Sequence, residues 1–291
     1  MKPKGMNGIA TLIIVLIGVL LTGCSEKEEE SNIRALFSWK QSAVLNEREI
    51  LFSTMKECKL NTLYQEFSSE LKEEEIITFL EEASKEQIDI YLLTGSPEWG
   101  LEEDGASMIR QIKKVLTMNA LVSDKEVVKG VLFDVEPYLL EEWDTLGNQQ
   151  IMDRFVKGMQ AVYQEAKDSG LEVILCIPYF YDNKGVSKQL ESLIQSSCDR
   201  IAIMNYYRGK EKENIEFEVS LAAKYKKKVI NIYELQAPGQ YDLQDVNTYY
   251  QEGIYAVEAN YNAVRAVYRE STDIALAFHH FEALKEVMKR E

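Results

Sequence analysis

The sequence predicts an α/β protein of the (β/α)8 TIM-barrel class, and three observations carry that expectation. Eight short apolar runs rich in β-branched residues alternate with amphipathic stretches from Asn32 onward. The part of the chain that bears them is about 260 residues long, a normal size for such a barrel. The turn after the first run, FSWKQSA, lacks the glycines that an open dinucleotide-binding sheet would need.

Taken in order, the strands are expected at Ile33–Trp39 (IRALFSW), Asn61–Phe67, Ile88–Gly95 and Val127–Glu136 (VVKGVLFDVE). Leu171–Phe180, Asp199–Tyr207, Lys228–Glu234 and Asp273–His280 complete the set. Their near-continuous apolar character suits strands buried on both faces. Between the second and third, EEEIITFLEEASKEQ places Ile76, Ile77, Leu80 and Ala83 on one helical face. After the fourth, IMDRFVKGMQAVYQEAKDSG reads as a helix closed by Gly170 as its C-cap. YNAVRAVYRE, before the last strand, is an ordinary amphipathic helix.

The first residues have a different character. MKPKGMNGIATLIIVLIGVLLTGC has a basic start (Lys2, Lys4), an apolar stretch from Ile9 to Leu21 and small residues at its close, the layout of an export signal. The apolar run is short for a membrane span. Leu21-Thr22-Gly23-Cys24 resembles a bacterial lipobox. That resemblance implies a lipoprotein signal peptide over residues 1–23 and a lipid anchor on Cys24, facing the extracytoplasmic side of the cell membrane. SEKEEESN makes residues 24–32 a charged tether, which leaves 33–291 for the barrel.

Composition excludes several functions. The formal charge is -15, and it becomes more negative once Lys2 and Lys4 leave with the signal, so a nucleic-acid partner is not expected. Cys58, Cys176 and Cys198 lack metal-ligand spacing, and the chain has only two histidines, so neither a metal site nor a cofactor is expected. Cys176, in VILCIPY, reads as a small core residue.

In this barrel class the chemistry sits at the C-terminal strand ends. Those ends carry Trp39 and Lys40, Glu66, Gly95-Ser96, Asp134 and Glu136, Pro178-Tyr179, Asn205-Tyr206, Glu234, and His279-His280. Any one of them could cap a helix or sit in solvent; together they make a ring of carboxylates, aromatics and hydrogen-bonding groups. Asp134 and Glu136 are two apart and share one face of their strand, roughly 6–7 Å from each other. Two carboxyls confined in a partly dry site resist joint ionisation, so one should hold its proton toward neutral pH, as a general acid must. Aromatics such as Trp39, Trp99, Trp143, Tyr179, Tyr181 and Tyr207 lie at or just beyond the ends, where flat rings suit the apolar faces of sugars. Adjacent on a strand, His279 and His280 should face opposite sides.

GVLFDVEPY resembles the Asp-x-Glu strand motif of glycoside hydrolase family 18, the chitinase-like barrels, and IAIMNYY resembles that family's Met-x-Tyr motif through Met204 and Tyr206. The resemblance implies that Glu136 protonates the glycosidic oxygen and Asp134 orients the substrate's N-acetyl group. Tyr206 would hold that acetamide while its carbonyl attacks the anomeric carbon. Trp39, Glu66, Tyr179, Asn205, Glu234 and His280 are the expected substrate-binding residues around a carbohydrate. The sequence differs from the motif at Lys129 and Leu132, where earlier aspartates belong, at Tyr207, and at FHHFEAL, where a tryptophan is usual. Two alternatives stand beside this reading. Glu234, ending the seventh strand, could be the nucleophile of a retaining pair with Glu136; or the barrel could bind glycans at the cell envelope without cleaving them.

Overall fold

The computed structural model describes residues 33–124 and 126–291, together with Met1; the expected signal peptide, Cys24 and the charged tether lie outside the described residues. Eight parallel strands close into a barrel in chain order. They are β1 (Arg34–Ser38), β2 (Thr62–Gln65), β3 (Asp89–Thr94), β4 (Val128–Phe133), β5 (Glu172–Pro178), β6 (Arg200–Met204), β7 (Lys228–Glu234) and β8 (Ile274–His279). Each pairs with the next, and β8 returns to β1 through Ala35 opposite Ala277. Every expected strand is present. All but β7 stop short of the expected C-terminal end.

Alternation along each strand sorts the side chains. Leu36, Leu63, Val131, Phe133 and Leu276 point outward into the layer under the helices. Tyr91 and Leu93, Leu132, Ile174 and Cys176, and the small Ala275 and Ala277 fill the barrel interior. Near its N-terminal end the interior is closed by Glu172, which takes a hydrogen bond from the Tyr91 hydroxyl (2.6 Å) and an ion pair from Arg200 (3.3 Å).

Helices wrap the outside with their apolar stripes inward. Glu73–Lys85 buries Phe79, Leu80 and Ala83, with Ile76 and Ile77 partly covered. Asn148–Asp168 buries Ile151, Met152, Phe155, Met159 and Val162. It ends at Asp168 with Ser169 as its cap, and the next residue, Gly170, has a φ of +71° that provides the left-handed turn expected after a helix C-terminus. No helix among the described residues is long and apolar enough to cross a membrane.

One contact sets up the site. The Asp134 amide donates to the Thr94 carbonyl (2.9 Å), which brings the end of β4 against Gly95. A Cβ at Gly95 would lie 1.8 Å from the Asp134 carbonyl oxygen, so only glycine lets the two backbones meet.

Candidate active site

Leu132 is the last interior residue of β4, and the same alternation continued carries Asp134 and Glu136 up from the barrel interior into its mouth. Pro137 then starts a short 3-10 turn that folds Tyr138 back, so that its hydroxyl donates to Glu136 Oε1 at 2.5 Å. Burial is the main cause that pushes the Asp134 carboxyl up to about 7. The charge of Glu136 adds to it, while His279 and the Cys176 thiol oppose it. Burial also raises Glu136, against the Tyr138 hydrogen bond and His279. Two such close acids share protons and titrate as a pair. Asp134 Oδ1 and the Tyr181 hydroxyl are buried here with no hydrogen-bond partner among the described residues.

On the far side of the pair stands His279. Its Nδ1 lies 2.8 Å from Glu234 Oε2, and its Nε2 accepts from the Trp39 indole N–H at 3.3 Å. The Tyr206 ring lies against it at 6.0 Å between centroids, tilted by 31°. Burial works to lower the His279 pKa, but Glu234, Asp134 and Glu136 outweigh it and the net direction is upward. Burial and the nearby carboxylates hold the Tyr206 phenol well above its ordinary range, so it stays a neutral donor.

Glu234 is only 2 % exposed. Oε1 accepts the backbone N–H groups of Leu235 and Gln236, both at 2.8 Å; Oε2 takes His279 and the Gln236 side-chain amide. Burial alone would raise this carboxyl, yet His279 and the Gln236 donors hold it below its usual value. Four donors occupy the four lone-pair positions of the carboxylate. In this structure Glu234 anchors His279, and its acceptor positions, expected to serve as nucleophile or substrate ligand, are engaged within the protein.

His280 has left the strand and bonds Glu282 (2.8 Å), so the histidine at the mouth is His279. Asn205 is buried. Its amide donates to the Glu211 carbonyl and the Asn231 side chain, and its oxygen accepts from Asn214, so it ties down the β6 loop. Glu66 lies just beyond β2 beside Lys114, half-buried, its pKa raised by desolvation and partly restored by that lysine. Tyr179 is half-buried against Phe180 (5.7 Å). Trp39 and Tyr206 are the partly exposed aromatics set on top of the interior cluster. Trp99 and Trp143 pack on the outer layer instead, Trp143 stacked on Tyr181.

Sequence reasoning missed Tyr138, although its place after Glu136-Pro137 was visible. It also named His280 among the site residues, whereas His279 is the one that stands beside Glu234 and Trp39. The signal was there in IALAFHH: large residues at 274, 276 and 278 must pack under helices, which leaves Ala275, Ala277 and then His279 for the interior. Cys176 is not merely core filling, since its thiol lies beside the Asp134 carboxyl. Among the described residues no cluster of three or more His, Cys, Asp or Glu could hold a metal.

The chain matches no protein-family profile and no curated protein. Solved structures do resemble it. A chitinase from Bacteroides thetaiotaomicron matches with a TM-score of 0.57 at 14 % identity, covering 87 % of this chain and 90 % of that one. A chitinase from Chromobacterium violaceum ATCC 12472 gives 0.55 at 12 %, covering 90 % and 100 %. The tandem GH20 catalytic modules of the pneumococcal exo-beta-D-N-acetylglucosaminidase give 0.55 at 13 %, covering 88 % and 83 %. At such identities the likeness is one of fold: this chain has a TIM barrel, as those proteins do.

Proposed function

We propose that the protein hydrolyses glycosidic bonds next to N-acetylated sugars, with Glu136 as the acid and the substrate's own acetamide as the nucleophile. The observation that carries this reading is the Asp134–Glu136 pair. Two desolvated carboxyls at the mouth of the barrel hold a proton toward neutral pH, and a tyrosine fixes one of them. A buried acid pair of that kind suits proton transfer to a leaving oxygen. The N-acetyl preference is supported by the fold neighbours, chitinases and an N-acetylglucosaminidase, and by a neutral phenol at Tyr206 beside the pair.

In the first step Glu136 gives its proton to the glycosidic oxygen as the bond to the anomeric carbon breaks. The acetamide carbonyl oxygen bonds to that carbon, and ionised Asp134 accepts the acetamide N–H whose positive charge is growing. Tyr206 donates to the acetamide oxygen and keeps it aimed. In the second step the Glu136 carboxylate takes a proton from water, which opens the cyclic intermediate. No enzyme nucleophile is needed, in keeping with the enclosed state of Glu234. The lipobox-like Leu21–Cys24 adds a proposed place of action: anchored through lipid on Cys24, outside the cytoplasm.

The test is hydrolysis of chromogenic N-acetylglucosaminides and chito-oligosaccharides by the purified protein and by Glu136→Gln. Cleavage lost in the variant supports the reading. Sugars that bind without being cleaved by either protein would favour the glycan-binding alternative. For the anchor, Cys24→Ser should release the protein from membranes and abolish incorporation of labelled fatty acid.

A further inference from the structure

We propose that Glu234, His279 and Trp39 form a hydrogen-bonded relay that holds the Trp39 indole as the sugar platform of the site, with His279 as the positioning residue. The inference rests on the glycan reading above and concerns what sets substrate affinity, not the bond-breaking step.

Trp39 follows Ala35 and Phe37 on the inward side of β1 and lies on the interior cluster, only partly buried. An indole in that position offers a flat apolar face to whatever enters the mouth. Its one polar group, Nε1–H, can only donate, and it is tied to His279 Nε2. The opposite edge of the imidazole is tied to Glu234, whose other oxygen accepts two backbone N–H groups. The orientation of the indole is thus traced through two side chains to the main chain after β7. The Tyr206 ring lies tilted beside the imidazole at 6.0 Å, and Phe37 meets it edge-on at 5.5 Å, so both flank the ring.

These bonds also define a charge state. Nε2 accepts from Trp39 only when His279 is neutral, with its proton on Nδ1. An imidazolium would set two donors against each other, and the indole would lose its tie. Facing the ring are Glu234 from β7, Asp134 and Glu136 from β4, Tyr206 from β6, and His280 next to it in the chain, itself paired with Glu282. The carboxylates draw a proton toward His279 while burial resists, with a net upward direction. The platform should therefore be firm at alkaline pH and loosen as pH falls.

The experiment uses the purified full-length protein and His279→Gln, His279→Ala and Trp39→Phe. A glutamine amide can accept from Trp39 and donate to Glu234 without titrating, so it should preserve the tie and remove the charge. Trp39 emission, taken as the difference from a matching Trp39→Phe protein, is titrated from about pH 5 to 9. Chito-oligosaccharide binding is measured by calorimetry at both ends of that range. We expect one emission step in the wild type and none in His279→Gln. Affinity at alkaline pH should fall about tenfold or more in His279→Ala and be largely restored in His279→Gln, without pH dependence. Emission that never titrates, or a step that survives in His279→Gln, overturns the relay. Equal sugar affinity in wild type and His279→Ala overturns the platform. A wild type that binds no sugar overturns the platform and the glycan reading together, while the emission arm still decides the relay by itself.

Discussion

The Tyr138 hydroxyl donates to Glu136 Oε1 at 2.5 Å across a single 3-10 turn, so the residue two places after the acid governs it. A hydrogen bond to a carboxylate favours its ionised form. Glu136 is thus held between burial, which keeps its proton on, and Tyr138 with His279, which temper burial, Tyr138 the more strongly.

Removing the tyrosine oxygen should tip that balance. In Tyr138→Phe the alkaline limb of kcat/KM should move upward by about one pH unit, because Glu136 keeps its proton longer. A full pH–rate profile checks this. A limb that stays in place or moves to lower pH would mean that Glu136 is not the acid being observed.

Asp134 links the site to stability. Its carboxyl titrates near 7 in the folded protein and near the ordinary 3.8 when unfolded. The folded state thus binds the proton more tightly, and that contribution is complete below about pH 4 and lost as pH rises to about 7. Asp134→Asn has no proton to lose. It should melt above the wild type at pH 8 by the equivalent of ~1–4 kcal/mol, and the margin should shrink to nothing toward pH 4. Melting curves across that range decide the matter, and a margin independent of pH would show that Asp134 is not strained by its burial.

Gly95 permits the close approach that seats Asp134. Gly95→Ala should force the ends of β3 and β4 apart, at a cost of about 2 kcal/mol or more in denaturant unfolding. Activity should fall further than the loss of folded protein explains, since the acid pair moves with β4. Unchanged stability would mean that the two backbones can part freely.

Glu234 separates the two hydrolytic routes. With all four lone-pair positions filled, Glu234→Gln should affect chiefly KM and lower kcat by less than about tenfold. If kcat instead collapsed as far as in Glu136→Gln, and azide restored it, Glu234 would be a nucleophile after all.

The barrel was legible because its evidence is periodic. Eight apolar runs at barrel spacing need only patterning to be recognised, and every strand was found. The Asp134–Glu136 juxtaposition was legible for the same reason, since alternation along one strand sends both to one face. What lay beyond reach was created by loops and by burial. The commitment of Asn205 depends on Glu211, Asn214 and Asn231, which only the folded β6 loop brings together. The enclosure of Glu234 depends on two main-chain N–H groups that curl back over it. No pattern in the sequence announces either. The choice between His279 and His280 differed: it could be read, by noticing that small residues alternate inward along β8.

The most direct measurement compares the release of chromophore from N-acetylglucosaminides by the wild type and by Glu136→Gln, at neutral pH and equal folded concentration. Our account predicts turnover by the wild type and a loss of about 10²–10⁴-fold in kcat in the variant, with substrate still bound. Turnover that survives the loss of this carboxyl would contradict it.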